Sequence, residues 1–427
     1  MALPDNAPPA VLLGGAVTAL SVARSLGRAG IPVTILSDGV TDCLARRSRY
    51  CRRYVHFEAD AGTGVKAQWL QWLERDEAAV VLPCSDEGVE LVARHRDRLG
   101  AAGHRCIEAA DEVLLAMLDK QRTYERAAAL GVVSPRTFTA HTRDDASGLL
   151  GGGLAYPFAV KPTRSDALVR RVPGIETPKG TVVRDESEFD AALEVLFSAG
   201  VGALITEIIP GDDSRFCSYY SYLDEHGEPL LHFTKRKTRQ YPIAFGLGTY
   251  HVTEWQPDVA EVGLRLFQGM GLRGLGNVEF KRDERDGELK LIECNPRFTM
   301  ANELARRAGI DFGLVAYNRV VGRALPDVDA FRDGLHMWFP LDDLRALRAY
   351  RAAGQLTTAQ WVRSLAHVQH FPTFQWRDPV PSLVGARGWL RRRPGGRRGG
   401  DAAVTGVRQD DGAPAGHDPV ETTTPGR

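Results

Sequence analysis

Residues 275–297 read LGNVEFKRDERDGELKLIECNPR and decide how the rest of the chain is interpreted. Apolar side chains alternate with polar ones at Val278 and Phe280, a polar stretch follows, and the alternation resumes at Ile292 and Cys294. Two alternating runs around a short polar turn are typical of a β-hairpin. We therefore predict two antiparallel strands whose alternate apolar residues, these four among them, face a core.

The length of the turn fixes which residues of the hairpin face each other. With a three-residue loop at 285–287 and Gly287 in the left-handed conformation, Glu279 lies directly opposite Glu293. A two-residue turn would pair Glu279 with Cys294 instead and separate the carboxylates. We adopt the three-residue loop, which also places Asn295 on the carboxylate face.

Two carboxylates that face each other across a strand pair repel, so a partner is needed. Mg²⁺ is commonly held by one or two carboxylates together with substrate phosphates. Glu279, Glu293 and Asn295 are therefore candidate metal ligands, and Arg297 would set a planar donor group beside the phosphates. An ordinary exposed hairpin face is the competing interpretation of these four residues.

Composition limits the classes of function. The chain has 427 residues, 43% hydrophobic and 25% charged content, and zero formal net charge. These values are those of a globular protein of two or three domains, without an overall basic field for nucleic acid or anionic membranes. No signal peptide or membrane span is predicted, and the six cysteines lack metal or disulfide spacing, so we expect a cytoplasmic protein.

The beginning of the chain predicts a βαβ unit. Residues 10–14 form a buried strand, Val17–Ala29 a helix, and a second strand follows. The Gly14-Gly15 stretch is not G-x-G-x-x-G, which argues against an NAD-dependent dehydrogenase. Farther on, strand 79–83 runs into Ser85 and Asp86, which we expect to cap the next helix. Residues 109–129 are predicted to be helical, and apolar residues at spacings of three and four predict an amphipathic helix at Pro257–Met270.

E-x-N-P-R at the end of a strand, fourteen residues after the Glu of V-E-F, resembles the metal-binding core of the ATP-grasp superfamily. Over roughly residues 10–320 the chain is most similar to the carbamoyl-phosphate-synthase-like, carboxylate–amine ligase branch. The resemblance implies an α/β fold, α+β in part, in which a Rossmann-like pre-ATP-grasp domain precedes the ATP-grasp domain.

We expect the domains to follow that order along the chain. The expected ranges are 1–108 for the Rossmann-like domain, 109–325 for the ATP-grasp domain with a small lid subdomain at about 133–208, 326–390 for a helical C-terminal extension, and 391–427 for a disordered tail. Residues 151–153 are the expected hinge into the lid. Residues 163–181 occupy the place of the loop that closes over the phosphates in this family.

The same resemblance assigns the ATP-binding residues. Two lysines would contact the nucleotide phosphates, the end of a lid strand would meet adenine through its backbone, and an acidic residue would bind ribose. The candidates are Lys120, Lys161, Thr206, Glu207, Ile209 and Asp213. Arg297 is a catalytic candidate, as is Lys235 from the charged run 235–239, where the choice of cation that holds the carboxylate or the transferring phosphate stays open.

The resemblance implies an ATP-dependent ligase that uses Mg²⁺, or Mn²⁺, and forms an amide from a carboxylate and an amine through an acyl phosphate. Small-molecule substrates are the expected partners, with no nucleic acid and no membrane, and a homodimer stays open. The alternatives are a bicarbonate-using enzyme of the carboxylase or carbamoyl-phosphate type, and a non-catalytic ATP-binding regulatory module.

Overall fold

The computed structural model describes residues 7–37, 44–57, 64–149, 154–163, 180–244, 246–326, 328 and 330–391. Three predicted features fall outside these residues. They are the hinge at 151–153, residues 164–179 of the predicted phosphate-covering loop, and residues 392–427 of the predicted disordered tail.

The N-terminal domain is built on a parallel five-stranded sheet in the order β3-β2-β1-β4-β5. Its strands are β1 (Ala10–Leu13), β2 (Val33–Leu36), β3 (Arg53–Val55), β4 (Val80–Pro83) and β5 (Arg105–Cys106), and its helices are α1 (Ala16–Arg28), α2 (Val65–Leu73) and α3 (Asp86–Ala101). Every residue of β1 and β4 is buried. Burial on both faces is the property that makes such strands continuous apolar runs, as predicted.

Gly14 and Gly15 have a packing explanation. Both have positive φ, and a Cβ on Gly15 would lie 2.3 Å from the carbonyl oxygen of Cys84. The turn after β1 therefore passes directly against the turn after β4, which only glycine permits. This close approach accounts for the glycines without a bound dinucleotide.

The helix predicted at 109–129 is two helices, α4 (Asp111–Leu118) and α5 (Lys120–Ala129). Asp119 has an extended backbone conformation, and its carboxylate accepts a hydrogen bond from the Arg122 N–H at 3.1 Å. An N-cap of this kind starts a new helix. As a result, Lys120 is the first residue of α5 rather than part of a continuous helix.

A small antiparallel sheet follows, in the order β6-β9-β7-β8. It contains β6 (Thr137–Ala140), β7 (Phe158–Pro162), β8 (Thr181–Val183) and β9 (Ala203–Glu207), with α6 (Arg143–Ser147) and α7 (Glu186–Ser198). The small sheet has a separate apolar core, in which the rings of Phe158 and Phe189 pack edge to face. The described residues between 137 and 207 thus form a core of their own, distinct from that of the large sheet.

The large sheet has the order β14-β13-β10-β11-β12-β15-β16. Its strands are β10 (Phe216–Leu223), β11 (Pro229–Tyr241), β12 (Leu247–Thr253), β13 (Gly274–Arg282), β14 (Leu289–Asn295), β15 (His336–Trp338) and β16 (Gln369–His370). Helix α8 (Pro257–Met270) begins and ends where the apolar spacing predicts, and its buried face packs on one side of this sheet. The opposite side carries the hairpin carboxylates.

Helices α9 (Asn302–Ala308) and α10 (Phe312–Val321) join the large sheet to the N-terminal domain. Leu304 of α9 and Phe312 of α10 share one apolar core with Leu12 of β1 and Phe233 of β11. This common core fixes the N-terminal domain over the open side of the hairpin.

The C-terminal region contains α11 (Pro340–Ala352), α12 (Thr358–Ser364) and α13 (Val380–Arg391). It also supplies β15 and β16, which extend the large sheet beyond β12. The region predicted to be a helical extension thus contains these three helices and also two short strands. Strands of two or three residues are too short to show alternation in a sequence.

None of the helices in the described part of the chain combines the length and apolar character that crossing a bilayer requires.

Candidate active site

The predicted pairing of the hairpin carboxylates is confirmed. In the β13–β14 pair, Glu279 lies opposite Glu293, and Asn277 lies opposite Asn295. Because side chains alternate between the two faces of a sheet, all four point to the same side. Cys294 lies in the apolar core on the other side, also as predicted.

The turn that leads to this register is longer than predicted. The Asp283 N–H bonds the Glu288 carbonyl, so the loop has four residues rather than three, and Gly287 keeps its positive φ of 75°. The pairing then shifts between Glu279 and Phe280, so that Ile292 is an extra residue in β14. A bulge of this kind restores the predicted register near the carboxylates.

The bulge also changes which side chain enters the core. Leu291 is fully buried there, whereas the predicted core residue Ile292 is only half-buried and lines a pocket. The prediction for Ile292 is therefore wrong. Simple alternation fails here because one additional residue reverses the faces on one side of it.

Asn277 orients the third candidate ligand. The Nδ2 of Asn295 donates to Oδ1 of Asn277 at 3.2 Å, and Asn277 in turn donates to the Tyr219 carbonyl at 3.3 Å. With Nδ2 engaged, Oδ1 is the atom of Asn295 that would bind a metal ion. Sequence reasoning missed Asn277, although its position two residues before Glu279 could have shown that it shares this face.

The candidate ligands suit Mg²⁺, which also binds phosphates and water, better than a metal ion coordinated only by protein side chains. Among the described residues there is no group of three or more His, Cys, Asp or Glu side chains that could hold a metal ion. Glu279, Glu293 and Asn295 offer two carboxylates and one amide oxygen. A hard cation that also binds substrate phosphates and water suits such a partial set.

Cations of β11 face the carboxylates. Lys237 Nζ lies 3.0 Å from Oε1 of Glu279, and the ammonium of Lys235 lies 3.1 Å from Ser218 Oγ. Both lysines are buried, whereas Arg236 between them points outward to Glu254. Lys237 is therefore the cation of this run that contacts a candidate metal ligand, a choice that the sequence left open.

The protein environment of Lys235 shifts its equilibrium toward the neutral amine, compared with a lysine in water. Burial lowers the pKa of its ammonium to about 8, against an opposing effect of Glu279, and Lys237 adds to the decrease. His251 lies 3.4 Å away, and burial together with the two lysines lowers the pKa of its imidazole well below the usual range. His251 therefore stays neutral beside them at pH 7.

Arg297 connects the hairpin to the N-terminal domain. Its Nε donates to Oδ1 of Asp86 at 2.6 Å, at the start of α3. Burial lowers the pKa of the guanidinium, but Asp86 and Glu293 outweigh this effect and raise it. Ser85 caps α3 as predicted, because its hydroxyl accepts from the Gly88 N–H at 3.2 Å.

A pocket between α5 and the hairpin brings Lys120 to the carboxylates. Its lining residues are Asp86, Met117, Leu118, Lys120, Thr123, Tyr124, Ile292, Glu293, Cys294 and Asn295. The Tyr124 hydroxyl donates to the Ile292 carbonyl at 2.9 Å and so attaches α5 to the bulge. The break in the helix at Asp119 thus places Lys120 beside Glu293 and Asn295.

Lys161 lies on β7 of the small sheet and is half-buried. Gly180, at the end of the predicted phosphate-covering loop, approaches it closely: a Cβ there would lie 2.5 Å from Cγ of Lys161. Its φ of 104° also favours glycine. The close approach shows that the end of this loop lies against the Lys161 side chain.

The backbone at the end of β9 and just after it, at Glu207 and Ile209, is predicted to contact adenine. The Ile209 carbonyl already accepts from Lys281 Nζ at 2.8 Å, and the Glu207 N–H donates to the Arg136 carbonyl. Within the described residues no hydrogen bond uses the Ile209 N–H, which stays the candidate group for a purine. Thr206 lies within the small sheet, where its hydroxyl bonds Thr137.

The Glu207 carboxylate has a structural role. It accepts from Arg285 at 2.8 Å and from the Arg136 N–H at 3.1 Å, and so ties the hairpin loop to the small sheet. Burial raises the pKa of this carboxyl, but the hydrogen bonds from Arg285 and Arg136 outweigh burial and lower it. The side chain is thus held ionised.

The structure does not present Asp213 as an open ribose ligand. The residue is buried, its Oδ1 accepts from Gln240 Nε2 at 2.8 Å, and its Oδ2 accepts from the Tyr350 hydroxyl and from the Ala244 N–H. These partners join the segment after β9 to β11 and α11. The sequence could not show them, because Tyr350 is more than a hundred residues away.

Comparison with known proteins supports the fold. No protein-family model matches the chain. A D-aspartate ligase of Enterococcus faecium (strain Aus0004) is 24% identical over 234 residues, which cover 53% of this chain and 55% of that protein. The chain therefore aligns with about half the length of this curated relative.

Two solved structures share most of the architecture. An L-amino acid ligase from Bacillus licheniformis superposes with a TM-score of 0.60 at 13% identity and covers 78% of this chain and 80% of its own. An ADP complex of N5-carboxyaminoimidazole ribonucleotide synthetase gives 0.59 at 12% identity, with coverage of 78% and 81%. With the three sheets and the hairpin in place, the chain has the ATP-grasp fold that these two proteins share.

Proposed function

We propose that the chain is an ATP-dependent carboxylate–amine ligase. A substrate carboxylate attacks the γ-phosphate of ATP to give an acyl phosphate and ADP, and an amine then displaces phosphate to form an amide. The observation that carries this proposal is the opposed pair Glu279 and Glu293, faced by Lys237 and bordered by Lys120 and Arg297.

The metal fits the donor set described above. Glu279, Glu293 and Asn295 would hold Mg²⁺, which neutralises phosphate charge and aligns the γ-phosphate when it is bound. Mn²⁺ would accept the same oxygen ligands. Lys120 and Lys161 would contact the nucleotide phosphates, the Ile209 N–H would meet adenine, and Thr206 and Glu207 stay proposed contacts.

The protein's own part is positioning and electrostatic stabilisation. Lys237 has one contact to Glu279 and stands where a transferring phosphate would need a cation, with the Lys235 ammonium beside it. Arg297 is held by Asp86, so its guanidinium keeps one orientation as the charge on the phosphate moves. Such a reaction requires no nucleophilic side chain.

The substrate is proposed to be an amino acid. The curated relative is named as a D-aspartate ligase, and one structural relative is named as an L-amino acid ligase. An amino acid would enter between α3 and the hairpin, where the N-terminal domain contacts Arg297. The proposal retains the predicted domains at 1–108, 109–325 and 326–390.

Nucleotide product analysis tests the proposal. The full chain is incubated with MgATP and pooled amino acids and small amines, and the nucleotides are separated by chromatography. We expect pool-dependent release of ADP and phosphate, loss of this release in Glu293→Gln, and normal release in the matched control Glu284→Gln. Glu284 is exposed at the turn of the same hairpin, so the control makes the same chemical change outside the site.

Three outcomes would overturn the proposal. Release of AMP and pyrophosphate would mean an adenylating enzyme. Release of ADP that depends on bicarbonate rather than on the pool would support the carboxylase or carbamoyl-phosphate alternative. Tight binding of MgATP without turnover under every pool would support the regulatory module.

A further inference from the structure

Two segments that are far apart in the sequence form one surface on the N-terminal domain. They are residues 44–57, which begin with a 3₁₀ helix at Leu44–Arg47, and residues 371–391, which end with α13. Helix α13 packs on the 3₁₀ helix, and a Cβ on Gly385 would lie 3.3 Å from Leu44 Cδ1. The two segments therefore form a continuous patch.

A buried carboxylate holds these segments together. Asp378 accepts from Ser48 Oγ at 2.6 Å, from the Arg49 N–H at 3.0 Å and from Arg24 Nε at 2.8 Å. Arg24 also donates to the carbonyls of Thr373 and Asp378. With this many internal partners the position of the second segment on the first is well determined.

The patch is strongly basic, although the chain has zero net charge. Seven arginines are exposed in the two segments, and we call those at positions 46, 47, 49, 377 and 387 the arginine surface. The other two are Arg52, just before β3, and Arg53, the first residue of β3, which pairs with Asp76. Asp378 is the only acidic residue in the two segments, and it is 1% exposed. Within these two segments the exposed arginines therefore outnumber the acidic side chains.

Large apolar side chains are exposed between these arginines. Trp376 is 88% exposed, Leu383 58% and Val380 47%. Trp376 precedes Arg377, and the two aliphatic residues lie on α13, which also carries Arg387. Exposed apolar side chains bordered by charge indicate an interaction site.

We propose that the arginine surface, together with Trp376, Val380 and Leu383, docks on an anionic phospholipid membrane. Arginines attract acidic headgroups, tryptophan favours the headgroup level, and aliphatic side chains can enter the boundary of the acyl chains. The docking is peripheral and requires no membrane-spanning helix. The sequence continues with four more arginines at positions 392, 393, 397 and 398.

Other occupants fit the patch less well. A second copy placed by two-fold symmetry would bring the arginine surface against itself, which costs electrostatic energy. Nucleic acid would match the arginines and could stack on Trp376, but exposed leucine and valine contribute nothing to phosphate binding. The aliphatic residues therefore favour the membrane.

Vesicle co-sedimentation with the full chain tests the proposal. We expect partitioning to be about tenfold or more stronger for an equimolar phosphatidylcholine–phosphatidylglycerol mixture than for phosphatidylcholine alone, and to fall between about 0.1 M and about 1 M salt. Arg46→Glu with Arg47→Glu should weaken it by about tenfold or more. Trp376→Ser with Leu383→Ser should weaken it at either salt concentration.

Matched controls separate docking from folding and from overall charge. Arg348→Glu with Arg351→Glu makes the same charge change on exposed positions of α11 and should leave partitioning unchanged. If the first charge reversal unfolds the protein, Arg377→Glu with Arg387→Glu tests the same surface. Equal binding to both vesicle types, or no response to either reversal, would overturn the proposal. So would binding of a duplex oligonucleotide without vesicle binding.

Discussion

Strand β11 contributes cations to two charged clusters that differ in their composition. Lys235 and Lys237 face the hairpin carboxylates, and Arg239, which follows a β-bulge in the same strand, reaches Asp343 of α11. All three cations are buried. The sequence run 235–239 looks uniform, yet the two ends of it serve different purposes.

In the Arg239 cluster, both carboxylate oxygens of Asp343 accept hydrogen bonds. Asp343 accepts two hydrogen bonds from Arg239 at 2.8 Å each, and further ones from Thr249, Trp338 and Trp361. The hairpin cluster instead sets two carboxylates opposite each other, with Lys237 contacting Glu279 and Arg297 attracted electrostatically to Glu293. A fully paired buried charge stabilises one arrangement, whereas two opposed carboxylates are stabilised further by a bound cation.

The same chemical change at the two clusters should have opposite effects, and the larger concerns catalysis. Glu293→Gln should lower the ligase rate by about a thousandfold or more, because it removes charge from the proposed metal site. It should change the free energy of unfolding little, since it removes the repulsion from Glu279 together with the attraction to Arg297. Steady-state kinetics and urea unfolding of the same preparation measure both. A variant with a near-normal rate would contradict the site assignment.

Asp343→Asn should show the reverse behaviour. It leaves the Arg239 guanidinium buried without its counter-charge, so we expect a loss of about 3–5 kcal/mol in the free energy of unfolding. The rate per folded molecule should stay near that of the wild type at low temperature. The exposed neighbour provides the control, because Asp342→Asn should cost less than about 0.5 kcal/mol. Equal destabilisation by both would contradict the contrast between the clusters.

The lowered pKa of Lys235 gives a pH test of the hairpin cluster. The ammonium is charged below about pH 8 and loses its charge above it. If this charge assists ATP, kcat/KM for MgATP in the free enzyme should fall by up to about tenfold per pH unit above that value. Lys235→Arg keeps the charge and should move the fall to higher pH. Lys290→Arg, on the hairpin but paired with Asp286 and Glu288, should leave it in place.

The smallest effect is expected from removing residues 392–427. If this segment is disordered, as predicted, deletion should change neither the rate with soluble substrates nor the free energy of unfolding by more than about 0.5 kcal/mol. Loss of catalysis would contradict the disordered-tail prediction. Weaker vesicle binding with an unchanged rate would sharpen the separation between the active site and the arginine surface.

Much of the fold could be predicted because the relevant patterns are local. Strand β1, helix α8 and the hairpin follow from runs, spacings of three and four, and alternation within about twenty residues. The errors are local too: the cap at Asp119 divides a predicted helix, and the extra residue Ile292 reverses a predicted face. Each is a single-residue feature that averaged periodicity does not resolve.

By itself the sequence correctly predicted the opposed carboxylates from an alternation of period two, although the turn has four residues rather than three and a bulge at Ile292 restores the register. Only the tertiary structure decided which cations accompany them, because Lys237 meets Glu279 and Arg239 meets Asp343 across 42 and 104 residues. The same is true of Asp213, which folding turned into a buried acceptor, and of the arginine surface, which Asp378 assembles from two distant segments. Contacts between distant residues depend on packing of whole elements, and no local pattern encodes them.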